Sequence, residues 1–396
     1  MKSEYIKMMY ILNEHPPYTE DVFICNLITG ICEDKIEFRE IYSNYVFPRV
    51  ISDEDSNMLL WDTSYWHIYD GFIKAMFSLN YSNKNKLLEL EENSIKLING
   101  VINLFLALRF KKNTRASYIF AKKFDDINNK NYIFSISTEN IEFLYEYIKI
   151  SKLYCAIHEI IHCIYKKDTE RMNKELKRFN SLLDMIESFI KPNSTKVNSL
   201  YYKDGISKDD ILKELQLCKS NDGIKLELLC DTYAFDHCIC TFKQVWKDKY
   251  SELEIIDKCT EAIAVLKFYN QTLITVENNM KMILDAFNAG SDNKKIKDIV
   301  NQGINKMNSG TITRYYIEEM ISNIELFKLL DNKENALRLL KNPILNNISD
   351  TYIIEGNLKK EFLSVESALE VIEKIQEVSN EDDDELIEKC NKFINM

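Results

Sequence analysis

A mainly α-helical fold with a small β portion, α+β in class, is predicted by three observations. The chain of 396 residues contains only 9 Gly and 5 Pro, too few for the frequent tight turns of an all-β architecture. Long stretches place apolar residues at three- and four-residue intervals, the helical period. The β-like runs, at Val22–Ile28, Met58–Trp61, Ser117–Phe124 and Asn131–Ser137, are few and short. The length allows two or more domains, each with its own core. The predicted division is 1–110, a mixed α/β region; 111–250, which holds the chemistry-bearing motifs and a helical insertion at 168–222; and 251–396, a helical accessory domain.

In order, Val22–Ile28 and Met58–Trp61 are β-like runs. The aromatic segment Trp61–Asp70 is a candidate binding surface, although such a cluster more often forms core. From Asn85 to Phe110 the pattern is helical. Its apolar part, Leu97–Phe110, is interrupted by Asn99, Gly100, Asn103 and Arg109, too short and polar to span a bilayer. Ser117–Phe124 and Asn131–Ser137, separated by a polar turn, predict a hairpin. A helix is predicted over 139–166, with a hydroxyl cap at Ser137–Thr138. An amphipathic helix follows from Asp168 to Lys191, stopped by Pro192, then a polar loop and a shorter helix from Ser207 to Cys218. Asn221–Gly223 turns the chain into a further helix. Helices are predicted at 253–288, ended by Gly290, then at 292–307, 311–330, 332–341, 364–379 and 383–394. The acidic run Glu381–Glu385 reads as a solvated link or helix start.

Within the 139–166 helix, His158-Glu159-Ile160-Ile161-His162 puts two imidazoles about 40° apart and one turn along the same helix. Both can reach one metal ion, and Glu159 is placed to hold and deprotonate a water. Downstream, Glu227 and Asp231 are again four apart on one helical face. A catalytic zinc takes three protein ligands and an open position, so Glu227 completes the set with His158 and His162. Asp231 is placed to accept from the outer ring nitrogen of a liganding histidine, fixing its tautomer. Ala234, on the same face, lets the two helices approach closely. Tyr233, His237 and Arg314-Tyr315-Tyr316 are candidates for oxyanion stabilisation, and His67 for an electrophilic helper or a core histidine. His237, Cys238 and Cys240 suggest a second metal site, but a C-x-C on a helix splays its thiols about 160° apart. Small buried hydrophobes are the better reading.

At these residues the sequence resembles the gluzincin metallopeptidases, with H-E-x-x-H on one helix and E-x-x-x-D on a later one. The nearest kind is the phage-exclusion (Lit-like) peptidases of the bacterial cytoplasm; the HtpX/CAAX-protease type and IrrE-like peptidase domains are cousins in motif. The resemblance implies a zincin-like core and zinc-dependent peptide hydrolysis, with His158, His162 and Glu227 as ligands to Zn2+ and Glu159 as general base. It also implies an intracellular protein target and a role in phage defence or regulation. The HtpX type is a membrane enzyme, whereas no span is predicted here. A peptide substrate adding itself to the edge of the 117–137 hairpin agrees with both the local reading and the resemblance. The 168–222 insertion is a candidate lid or specificity element.

A net charge of −11 argues against a nucleic-acid partner, whose binding domains carry a basic face. Ten irregularly spread cysteines, and charges throughout Met1–Glu20, predict a reducing cytoplasm and no leader. Oligomeric state is left open by the sequence. Two other classes compete. One is a non-catalytic helical interaction or regulatory protein with a structural or sensory metal site, closed by a fourth ligand such as Cys155, Cys163 or His67. The other is a metal-free helical scaffold with Glu227 facing solvent.

Overall fold

Leu59, Leu60 and Trp61 are all buried, as befits a strand covered on both faces, and in the computed structural model this run is the middle of a three-stranded sheet. The structure describes residues 36–41, 47–52, 57–80, 87–131, 141–191, 196–197, 206–290, 294–301, parts of 317–324, 358 and 360–394. Strands β1 (Ile36–Ile41), β2 (Arg49–Ser52) and β3 (Asn57–Asp62) stand in the order β1-β3-β2, β1 parallel and β2 antiparallel to β3. Val50 opposes Leu59, and among the described strands β2 is an outer one. The run at Val22–Ile28 lies outside the described residues.

Helices dominate the rest, as expected: α1 (Thr63–Asn80), α2 (Leu87–Arg109), α3 (Thr114–Asn131), α4 (Ile141–Lys167) and α5 (Thr169–Ile190). A two-residue pairing of β4 (Lys196–Val197) with β5 (Ile206–Ser207) precedes α6 (Lys208–Ser220) and α7 (Asp222–Val245). Then come α8 (Glu252–Asn288), α9 (Val365–Glu377) and α10 (Asp383–Ile394). Residues 294–301 and several within 317–324 are also helical. The helices predicted at 332–341 and the cap at Ser137–Thr138 lie outside the described residues.

Caps explain why the boundaries fall where they do. Asp168 accepts from the Arg171 amide to start α5, and Asn221 from the Ile224 amide to start α7. Ser251 and Glu254 form a reciprocal capping box at the head of α8. The same helix stops before Gly290, whose φ of 70° suits a residue without Cβ. Asp382 accepts from the Asp384 and Glu385 amides, so the acidic run is a helix start.

The predicted hairpin requires correction. Ser117–Phe124 is helical, part of α3, and Asn131 ends that helix rather than opening a strand; 132–137 lie outside the described residues. Tyr118, Ile119 and Phe120 favour strands by propensity, yet all three are buried along with Ala116, Ala121 and Phe124. Asn113 accepts from the Ala116 amide at the helix start. A helix packed on two sides, against α2 and against α9 and α10, buries these side chains all round, and tertiary burial overrides weak local preference.

The core is one connected cluster running from Leu59 to Cys390 and drawing on all three predicted regions. The Trp61–Asp70 aromatics belong to it: Trp61, Tyr65 and Tyr69 are at most 1% exposed, so the segment packs rather than lining a surface. Helix α8 crosses this core. Its Tyr269 ring meets Tyr65, Tyr69 and Phe72 at 5.0–5.5 Å between centroids, and Asn270 accepts from the Tyr65 hydroxyl at 2.6 Å. Glu277 pairs with Arg109 at 2.6 Å, and Asn279 donates to the Phe362 carbonyl at 2.8 Å.

Glu261 of α8 is buried and accepts a hydrogen bond from Tyr147. Burial pushes its carboxyl up to about 8. An acid whose folded pKa is raised stabilises the fold below its unfolded pKa, and that stability is lost as pH rises toward the folded value. Wild type is therefore expected to lose stability, on the order of a few kcal/mol, between the ordinary carboxylate range and about pH 8 relative to Glu261→Gln. Urea melts of both proteins at several pH values measure the difference.

Candidate metal centre

Helices α4 and α7 pack directly on one another, with Ala234 fully buried at their interface. His158 and His162, one turn apart on α4, turn their Nε2 atoms toward each other at 3.1 Å. From α7, Glu227 brings Oε2 to 3.3 Å from His158 Nε2 and 3.4 Å from His162 Nε2. The three donor atoms lie within 4.8 Å of one another. Glu227 stands at the mouth, its side chain 62% exposed, while the histidines are at 16% and 24%. The carboxylate thus faces solvent on one side, yet its Oε2 is turned inward.

The outer nitrogens of the two histidines have different partners. His158 Nδ1 lies 2.8 Å from Asp231 Oδ1, which also accepts from the Tyr154 hydroxyl at 2.6 Å. Asp231 Oδ2 accepts from Lys267 Nζ at 3.3 Å, and Lys267 reaches Glu318 Oε2 at 3.3 Å. His162 Nδ1 meets the Cys230 thiol at 3.7 Å. Glu159 has a partner of its own: its Oε2 accepts from the Val50 amide at 2.9 Å, so an outer strand reaches the rim of the site.

These contacts set the electrostatics. Burial pushes the Asp231 carboxyl up, but Lys267, His158 and Tyr154 outweigh it and hold Asp231 well below the usual carboxylate range. Burial lowers His158, and Asp231 and Glu227 reverse this and hold it at about 10. The His158 and His162 hydrogen bonds bring Glu227 down to about 2. Glu159 is raised, because burial outweighs His158 and the Val50 amide. The cluster thus carries one carboxylate of raised proton affinity beside a pocket of nitrogen and oxygen donors, an arrangement able to bind a cation and accept a proton.

His158, His162, Glu159, Glu227 and Asp231 are therefore brought together. The other candidates are not. Tyr233 donates to Glu175 on α5 at 2.9 Å, with His237 beside its ring; neither joins the donor group. His67 is exposed on α1, and Arg314-Tyr315-Tyr316 lie outside the described residues. Cys155 and Cys163 do not join the three donors either, so among the described residues no fourth protein ligand closes the group. Cys238 is buried but Cys240 is exposed, because residues two apart on a helix lie about 160° from one another. Only Cys238 behaves as a small core side chain.

The sequence reading missed Tyr154, Cys230, Lys267, Glu318 and the Val50 amide. Tyr154 lies four residues before His158 and Cys230 three after Glu227, so helical spacing pointed to both. Lys267 stands out as a lone charge in Ala262–Tyr269. Nothing local marks Val50.

Removing the carboxylate takes a close partner from Lys267, His158 and Tyr154 at once, so Asp231→Ala is expected to cost about 2–4 kcal/mol of stability even with chelator present. Chemical denaturation in chelator-treated buffer measures it. Comparison with protein-family models, curated proteins and solved structures finds no match for this chain.

Proposed function

We propose that this chain is a zinc-dependent metallopeptidase with a zincin-like core, and one observation carries the reading. Ligand distances of 2.0–2.2 Å in a tetrahedron separate neighbouring donors by roughly 3.3–3.6 Å. Glu227 lies at 3.3 and 3.4 Å from the two histidines, within that range, and the histidine nitrogens at 3.1 Å are a little closer. The residues present therefore fit the ion, with His158, His162 and Glu227 as its ligands. Three protein donors are the set of a catalytic site with an open position, whereas a structural zinc is closed by four.

Bound zinc supplies Lewis acidity, polarising a scissile carbonyl and making water more acidic. Glu159 takes the proton from the attacking water and returns it to the leaving amine. Its raised proton affinity suits that exchange, and the Val50 amide fixes its orientation. Asp231 holds the His158 ring so that Nε2 faces the ligand side.

With α3 helical, the peptide-docking edge moves from 117–137 to β2. The Val50 amide already points away from β3 toward Glu159, so an extended substrate lying along β2 passes the reacting groups. No described helix is long and apolar enough to cross a membrane, and all cysteines among the described residues are free. The resemblance in motif is what suggests a cytoplasmic protein substrate. The resemblance to phage-exclusion peptidases extends the reading to bacterial defence or regulation, by analogy.

Elemental analysis is expected to find about one zinc per chain in the wild type and loss of metal in His162→Ala and Glu227→Ala. Glu159→Gln is expected to keep both metal and fold while lowering cleavage of a fluorogenic peptide mixture by at least about a hundredfold. Zinc retained in Glu227→Ala breaks the three-ligand assignment, and metal lost from Glu159→Gln breaks the role given to Glu159.

A further inference from the structure

We infer that Lys267 is a positioning residue for the metal centre, acting through Asp231 on His158, and that Glu318 ties this clamp to the C-terminal region. The inference rests on the zinc reading proposed above. Lys267 touches none of the three donors. It lies on α8 between Leu266 and the Phe268-Tyr269 pair, in a segment whose Ala262, Ile263, Val265, Leu266 and Tyr269 are all buried. An ammonium group there gives up hydration, which is costly without close partners. Its partners include two carboxylates from different elements, Asp231 Oδ2 and Glu318 Oε2, each at 3.3 Å.

The geometry at Asp231 assigns the role. One oxygen, Oδ1, already serves two neighbours, Tyr154 at 2.6 Å and His158 at 2.8 Å. The other, Oδ2, faces Lys267. The carboxylate is thereby held from both ends: Tyr154 and Lys267 set its plane, and His158 takes the direction left over. A carboxylate held only at Oδ1 can rotate about its Cβ–Cγ bond, and rotation carries the acceptor away from Nδ1. His158 then loses the partner that fixes its tautomer and aims Nε2 at the ligand side. The asymmetry between the histidines sharpens the point, since among the described residues His162 Nδ1 meets the weak Cys230 thiol at 3.7 Å where His158 Nδ1 meets a carboxylate. The rigidity of the pair therefore rests on the His158 side. Because Glu318 comes from the segment at 317–324, part of the C-terminal region bears on this carboxylate, giving the accessory helices a direct physical link to the metal centre.

The test uses the full chain and zinc itself. Zinc affinity is measured by competition with a chromophoric chelator for the wild type, Lys267→Met and Lys267→Arg, with circular dichroism of each metal-free protein as the folding control. Lys267→Met is expected to weaken zinc binding by about ten- to a hundredfold. Lys267→Arg, which keeps a cation facing Asp231, is expected to restore most of it. Cobalt(II) put in place of zinc adds a readout that plain loss of stability does not move: its visible bands are expected to shift in Lys267→Met and return in Lys267→Arg. Should Lys267→Met fail to fold, Lys267→Gln makes the same comparison with a polar neutral side chain. A folded neutral variant with wild-type zinc affinity and a wild-type cobalt spectrum overturns the inference and leaves the peptidase reading standing. A wild type that takes up no zinc overturns both.

Discussion

The interaction on which the site depends is the 2.8 Å contact between His158 of α4 and Asp231 of α7. With the Tyr154–Asp231 and Cys230–His162 contacts beside it, it joins two helices that otherwise meet largely through apolar packing, and packing tolerates rotations of a helix about its axis that a hydrogen bond does not. With that contact in place, residues one turn away on each helix come into register. His162 lies one turn beyond His158 and Glu227 one turn before Asp231, so the donor atoms converge without any loop having to bring them together. Ligands mounted on packed helices are held more precisely than ligands on loops.

Burial makes the contact matter. A carboxylate and an imidazole withdrawn from water need compensating partners, and Tyr154 and Lys267 complete the set around Asp231. The partners come from α4 and α8, and Glu318 adds a fourth segment. The sheet contributes through a main-chain amide, at Val50. The site is therefore an intersection of elements that are distant in sequence, which is also why one hydrophobic cluster includes parts of all three predicted regions.

Much of this was legible in advance. Helix ends were readable wherever a side chain caps them or a glycine stops them, as at Asp168, Asn221, Ser251 and Gly290, because capping is a local hydrogen bond between neighbours in sequence. The donor group was readable because i, i+4 spacing alone brings His158 to His162 and Glu227 to Asp231. What could not be read was set by partners remote in the chain. Tyr118, Ile119 and Phe120 have strand-like propensity, and only the helices packed on either side of α3 decide against it. The strand that reaches the site is β2, and its contact with Glu159 runs through a backbone amide that carries no residue signature. Lys267 was visible as an odd charge in an apolar run, but its meaning lay in two carboxylates at positions 231 and 318.

Helix α8 meets the rest of the protein at Glu261, Lys267, Tyr269, Asn270, Glu277 and Asn279, whose partners include Tyr147, Asp231, Tyr65, Arg109 and Phe362. Inserting or deleting one residue inside a helix turns everything beyond it by about 100° and shifts it by about 1.5 Å. Between residues 261 and 279, such a change would unhook the buried tyrosines, the ammonium behind the metal centre and the amide contact to Phe362 together. Point substitutions in this span sacrifice one contact at a time. The spacing of α8 is consequently under tighter constraint than the identity of any one of its residues, and lengthening or shortening of this protein over evolutionary time has to fall elsewhere in the chain.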